Sequence, residues 1–487
     1  MKVGGSLIAA IAAFGLLLAP GATAKTFEVT RTADTIPNGC NQGGCTLREA
    51  VIAANARDGR DAIVLRSNRL YRIEIPGAGE DAAATGDFDL TGPTVVRTSG
   101  GRPATVDAND ADRHFDAFAT AELRNLELTE GAQNDGGAIR GRGGRISLVR
   151  SKIIGAVAAA IYTDGPGGVE LSRSVIRGAS LNAIRDANDG TIRLHRSRIE
   201  GSGAIGILEE GNGGVTVKRS RVTGNGGTGI FTASSGRLTV TRSTIANNSR
   251  GLFVDGGAVG VVVDSTIAGN EGDDGGAGIQ IRSMAELTLR ESTVARNTTS
   301  GASGGGILVE AGGTLRIANS TIAGNRAFLS GGGIRIDGPG ATASLNAVTI
   351  ARNVANYDNF SINSGGGGLN SNNGAVFAVR NSLIALNTAP FGAVGPDCYA
   401  NLGSGGHNLL SDEGLCTGLA GSDMVRANSR IGPLEQNGGP TQTIALKSRS
   451  PAIGKAGNDA PNRDQRGRKR DRRPDIGSFE RGSLKPR

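Results

Sequence analysis

Two sets of side chains in this 487-residue sequence have types and spacings that could do chemistry. The first is acidic: Asp186 and Glu209 lie 23 residues apart, with Glu210 beside the second. Carboxylates that share a site split their pKa values, so one can serve as general acid while the other stays charged, and the same pair can hold calcium. The bland counterpart is turn formation, because Asp164-Gly165, Asp255-Gly256 and Asp337-Gly338 are ordinary turn dipeptides at related positions. The second set is basic. Arg150, Arg173, Arg196, Arg219 and Arg242 recur at intervals of 23, each directly before a serine, and Lys152, Arg198, Arg221 and Lys218 flank them. Guanidinium pairs bidentately with carboxylate or phosphate. Like charges at one strand spacing repel by about 0.8 kcal/mol per neighbouring pair even in water, so stability alone does not call for such a column. It points outward from alternating strand positions and to a repeated anion, such as an acidic polysaccharide or lipopolysaccharide. The competing account pairs these arginines with local acids such as Glu170 and Glu200.

The interval of 23 belongs to a repeat that must position both sets. Apolar anchors recur at Leu128, Ile153, Ile176, Ile199, Val222, Ile245, Ile267, Val294, Ile322, Ile350 and Ile384. A second apolar line follows a Gly-rich turn (Ile161, Ile184, Ile207, Ile230), and a third alternates in pairs such as Val169/Leu171 and Ile192/Leu194. Three period-2 segments in about 23 residues leave no room for a helix, and a repeat of this length is a solenoid signature. The fold class expected is all-β, a right-handed parallel β-helix of about eleven or more coils with three short strands each, plus a short N-terminal capping helix. Asn225, Asn248, Asn270, Asn297, Asn325, Asn353 and Asn387 form an expected amide ladder at αL turns, and Ser151 to Ser320 a hydroxyl ladder that Val348 interrupts.

Residues 1–24 read as a secretory leader, with Lys2, an apolar run and Ala22-Thr23-Ala24 as cleavage site; no later stretch could span a bilayer. The formal charge is +8, or +7 once Lys2 is removed. With 79 Gly, no Trp and 3% aromatics, a conventional aromatic core and aromatic sugar platforms are not expected. Cys40/Cys45 and Cys398/Cys416 read as two local disulfides of an exported protein; neither pair has zinc spacing, so no metal is expected. Thr46 and Glu49 form a capping box that starts the helix.

Cys45-Thr46-Leu47-Arg48-Glu49-Ala50 closely resembles the hexapeptide that names the CSLREA domain, with Thr46 where that family usually has Ser. The C-terminal residues resemble the choice-of-anchor Q domain. The resemblance rests on Gly432-Pro433-Leu434, Asn437-Gly438-Gly439-Pro440-Thr441, Ser450-Pro451-Ala452-Ile453, Asp464-Gln465-Arg466-Gly467 and Arg473-Pro474-Asp475-Ile476-Gly477 up to Glu480. Ile444 replaces a usual His and Gly454 a usual Asp. The resemblance implies an exported bacterial β-helix protein, secreted or held noncovalently at the cell surface, and says nothing about a reaction. The domains expected are 1–24 leader, 25–60 cap, 61–400 β-helix and 401–487 C-terminal segment, whose Asp464, Asp475 and Glu480 pair with nearby arginines to close the rod.

Gly201–Gly206 fits G-x-G-x-x-G and Gly301–Gly305 fits G-x-S-x-G, but both fall in coil turns without the strand-turn-helix context those motifs need. His114, His195 and His407 are too scattered for a triad. Asp107, Asn109, Asp110 and Asp112 lack the Gly and distal Glu of an EF-hand and read as a solvated loop. The function expected is non-catalytic binding of a polyanion, with no cofactor and no nucleic acid; calcium at the paired acids is the alternative there. A polysaccharide lyase or glycoside hydrolase is the alternative for the whole chain.

Overall fold

The computed structural model describes residues 23–482 other than 37, 42, 359–364 and 391–393; the expected leader lies almost wholly outside them. One coil shows how the sequence folds. Val169–Ser172 lies in the first sheet, Val175–Arg177 in the second and Ile184–Asp186 in the third, and each pairs in parallel with the strand 23 residues on. Stacking the coils gives parallel sheets of 15, 15 and 13 strands. Because strand side chains alternate, Val169 and Leu171, Ile176, and Ile184 all point inward and are buried, and each stacks on its counterpart in the next coil.

Polar ladders satisfy the corners. Asn225 Nδ2 donates to Asn248 Oδ1 at 2.8 Å, and the chain of amides continues through Asn387, which donates to Asp397 Oδ1 at 2.9 Å. The αL residue at these corners is not the ladder Asn but the one before it, such as Gly224 or Asn247. Ladder Asn therefore serves by its amide and not by its backbone. Ser151 N donates to Ser174 Oγ at 3.1 Å and the serine ladder proceeds likewise; at the Val348 gap, Val348 N still reaches Ser382 Oγ at 3.2 Å.

The helix Leu47–Asn55 starts at Thr46 with both capping-box bonds formed, and its buried face joins the solenoid core at the first coil. Arg48 is fully buried and holds Asp34 bidentately at 2.7 and 2.8 Å, while donating to Ala83 and Gly86 carbonyls. Each residue of the hexapeptide thus has a structural task. Both disulfides pair locally, Cys40 with Cys45 and Cys398 with Cys416.

The rod exceeds its expected limits: Thr26–Glu28 already belongs to the first sheet, and Met424–Val425 still belongs to the second. The segment that follows does not close the rod end. Residues 431–480 fold back along the outer face of the second sheet, where Ile431, Ile444, Leu446, Ile476 and Phe479 pack on Ala323, Ala351, Leu383 and Ala385. Polar stitches fix it, among them Thr321 Oγ1 to Gln465 Oε1 at 2.6 Å and Ser478 N to Thr349 Oγ1 at 3.0 Å. Arg466 pairs with Asp464 at 2.6 Å and Arg470 with Glu480 at 3.1 Å, all buried; Asp475 instead accepts the Gly454 and Arg481 amides. Ile444, in place of the family His, belongs to this apolar contact.

Candidate functional site: the arginine corner

The five arginines are not on strands, as alternation had suggested. Each is the αL residue at the tight corner between first and second sheets, with φ between 50° and 54°. The corner is two residues long, for example Arg173-Ser174; the serine turns inward to its ladder and the arginine is left exposed. Backbone bonds stack the corners: Arg150 N to Ser172 O, Arg173 N to His195 O, Arg196 N to Lys218 O and Arg219 N to Thr241 O, all between 2.9 and 3.0 Å. One strand spacing, about 4.8 Å, therefore separates successive arginine backbones. A side chain with a Cβ gives up roughly 1 kcal/mol in this conformation, and Asn, Asp and His tolerate it better. Most other coils use those types at the same corner, as Asn125, Asp264, Asn319, Asn381 and His407; Glu291 and Ala347 also occupy it. Five successive arginines bear both backbone strain and mutual repulsion.

Among the described residues, Arg150, Arg173, Arg196 and Arg219 make no ion pair, nor do Lys218 and Arg221; Arg242 meets Asp264 at 3.3 Å. Lys152 is taken by Glu127 at 3.1 Å and Arg198 by Glu200 at 3.1 Å. The acids expected to neutralise the column are engaged elsewhere, Glu170 with Arg145 and Glu200 with Arg177 and Arg198. Beside the column runs a shallow groove of about 310 Å³ lined by Arg124, Asn125, Arg150, Arg173 and His195. Slight desolvation and then repulsion from Arg196, Lys218, Arg219 and Arg173 lower the His195 pKa. His195, dismissed in the sequence as isolated, reports the positive field.

The corner is divided by what faces it. From Glu291 onward the C-terminal segment covers it: Thr441 Oγ1 donates to Glu291 O, Asn319 Nδ2 to Arg463 O at 2.7 Å, and Asn381 Nδ2 to Asp459 Oδ1 at 3.0 Å. Asn319 and Asn381 stand where the C-terminal segment meets the corner, and the five arginines stand where it is open.

The acidic set does not form an accessible site. Asp186 and Glu209 are register partners, as their spacing implied, but they are the last residues of three-residue strands whose first and last positions face inward. Both are 0% exposed. Asp186 Oδ1 accepts the Asn188 amide at 3.0 Å, and the Thr163 hydroxyl and the Gly190 amide also turn toward the Asp186 carboxyl, as the Gly211 and Gly213 amides do toward Glu209. Burial pushes Asp186 up to about 6 and Glu209, which Asp186 also repels, up to about 8. Glu210 faces outward in an ion pair with Arg185 at 2.9 Å. The signal was in the column: the same position holds Gly141, Val254, Ile281 and Val309 in other coils.

Aromatic rings are also better organised than their scarcity suggested. On the outer face of the third sheet Phe231 and Phe253 are register partners stacked at 4.5 Å, with Arg282 and Arg250 over the second ring. Phe231 and the two guanidinium groups thus occupy the Phe253 ring.

Residues 137–294 match the family model described as right handed beta helix region. The chain is a right-handed parallel β-helix. The matched residues contain all five arginines. No curated protein matches the chain. Among solved structures, pectate lyase Pel9A is 15% identical, covering 95% of this chain and 98% of that one at a TM-score of 0.34. The A-module of Azotobacter vinelandii mannuronan C-5 epimerase AlgE6 is 14% identical, covering 78% and 94% at 0.42. These likenesses are loose and extend no further than the general fold.

Proposed function

We propose that this β-helix is an extracytoplasmic binding module that holds a polyanion along the arginine corner. The observation that carries the reading is the run of four unpaired guanidinium groups at Arg150, Arg173, Arg196 and Arg219, kept at a strained, self-repelling spacing on the uncovered half of a corner. A ligand with one carboxylate or phosphate per repeat would relieve that repulsion and gain charge-assisted hydrogen bonds. The two disulfides favour an oxidising compartment. No helix among the described residues is long and apolar enough to cross a membrane. The CSLREA-like and choice-of-anchor Q-like ends fit export and display at a cell surface.

The test is binding of pectate, mannuronan and lipopolysaccharide at rising salt, by wild type and by the triple variant R173Q/R196Q/R219Q. Wild type binds at least one with an affinity that falls as salt rises, and the variant loses it while its melting temperature holds or rises. His195 supplies a second readout: bound anion cancels the repulsion that lowers its pKa, so its NMR titration moves upward on binding. Equal binding by the variant, or a His195 titration unmoved by saturating ligand, would reject the proposal.

A further inference from the structure

The outer face of the third sheet begins with acid. Its first two strands, Phe88–Leu90 and Phe115–Ala117, set Asp89 beside Asp116 in register, and the preceding loop brings Asp81 to them. Each of the three offers a carboxylate oxygen, and these oxygens lie within 4.8 Å of one another. Asp87 and Asp112 flank the group, with Asp87 N donating to Asp112 Oδ2 at 3.3 Å.

Two guanidinium groups serve this cluster and leave it incompletely neutralised. Arg142 Nη2 lies 2.7 Å from Asp116 Oδ2 and 3.5 Å from Asp81 Oδ1. Arg113 lies 3.0 Å from Asp87 and 3.8 Å from both Asp112 Oδ1 and Asp116 Oδ2. Asp89 has no cation among the described residues. It is 0% exposed; its Oδ2 accepts the Ala83 amide at 2.7 Å and its Oδ1 accepts nothing. Asp116, 2% exposed, likewise keeps a buried Oδ1 without a hydrogen bond. An ionised carboxylate buried on those terms costs several kcal/mol unless something pairs with it.

Calcium binds carboxylate oxygens at about 2.3–2.6 Å, so oxygens on opposite sides of one ion stand at most about 5 Å apart, which the three groups satisfy. Magnesium needs about 2.0–2.1 Å in a stricter octahedron and fits the spread less well. We propose that Asp81, Asp89 and Asp116 hold a calcium ion, which fastens the loop carrying Asp81 to the first two coils of the third sheet. The site is separate from the arginine corner; of the Asp107–Asp112 loop only Asp112 adjoins it, while Asp107 is taken by Arg72 at 3.0 Å.

The experiment uses the full mature chain, stripped with chelator and titrated with calcium chloride or magnesium chloride, read by calorimetry and by thermal melting. Calcium binds at one site per chain and raises the melting temperature, and magnesium does so more weakly. The D89N/D116N variant loses both effects. Should that variant fail to fold, Asp81→Asn on the exposed loop replaces it, and its calcium affinity falls about tenfold or more with the loss of one charged ligand. No calcium heat or melting shift in wild type, or wild-type calcium affinity in either variant, overturns the site.

Discussion

Asp186 and Glu209 show what one residue position decides. Their spacing was legible, yet a frame shift of one residue separates an outward acid from an inward one, and the three-residue strand puts both inside. The consequence is a pH-dependent stability whose sign follows from the shifts. Both folded pKa values, about 6 and about 8, stand above the ordinary 3.8 and 4.5, so the folded chain keeps protons that the unfolded chain releases. The pair favours folding most below about pH 4, and that contribution is lost as pH rises through 6 and then 8. At about 1.4 kcal/mol per pKa unit the Glu209 share of the loss is on the order of a few kcal/mol. Denaturant unfolding of wild type and Glu209→Gln at pH 5, 7 and 9 checks it: the variant gains on wild type as pH rises. A difference between them that stays flat with pH would show that Glu209 finds a partner in solution. The arginine column tells the complementary lesson. Types and interval were legible, but its geometry was not, because alternation was extended through a corner that αL residues make.

At the scale of the element, the ladders were the most legible feature, since an amide that bonds its counterpart one coil away must recur in sequence at the coil length. Asn297 shows the strength of the arrangement. Its Oδ1 accepts from Asn270 N at 3.1 Å and Asn270 Nδ2 at 2.8 Å, and its Nδ2 donates to Ile267 O at 3.2 Å and Asn325 Oδ1 at 2.8 Å. Alanine there strands two donors and a carbonyl in the interior, at about 1–3 kcal/mol for each unsatisfied group. Asn297→Ala is expected to cost on the order of 3–5 kcal/mol in denaturant unfolding. A loss under about 1 kcal/mol would mean that water enters the corner and replaces the amide. Val348 shows that the serine ladder accepts a gap more cheaply, because the Val348 amide still finds Ser382 Oγ.

At the scale of the molecule, the C-terminal segment was the part least legible in sequence. Its buried pairs Asp464–Arg466 and Glu480–Arg470 could be anticipated from composition, but which surface they support depends on contacts far away in sequence, such as Gln465 Nε2 to Thr293 Oγ1 at 3.0 Å, 172 residues apart. The available signal was the run of small outer residues on the second sheet, Ala295, Ala323, Ala351 and Ala385, which leave room for another layer. The location changes what truncation should do. Ending the chain after Arg426 removes no coil, keeps the Cys398–Cys416 link, and unmasks Ala323, Ala351, Leu383 and Ala385 along the flank of the rod. The truncated protein should keep its β spectrum and its polyanion binding, since the arginine coils lie outside the covered face. It should also melt lower and associate through the bared flank, in a concentration-dependent way seen by light scattering. Loss of the β spectrum would show instead that the segment is required for the solenoid to fold. Loss of binding with the spectrum intact would place the ligand site partly on the segment, and the open arginine corner would then be only one part of it.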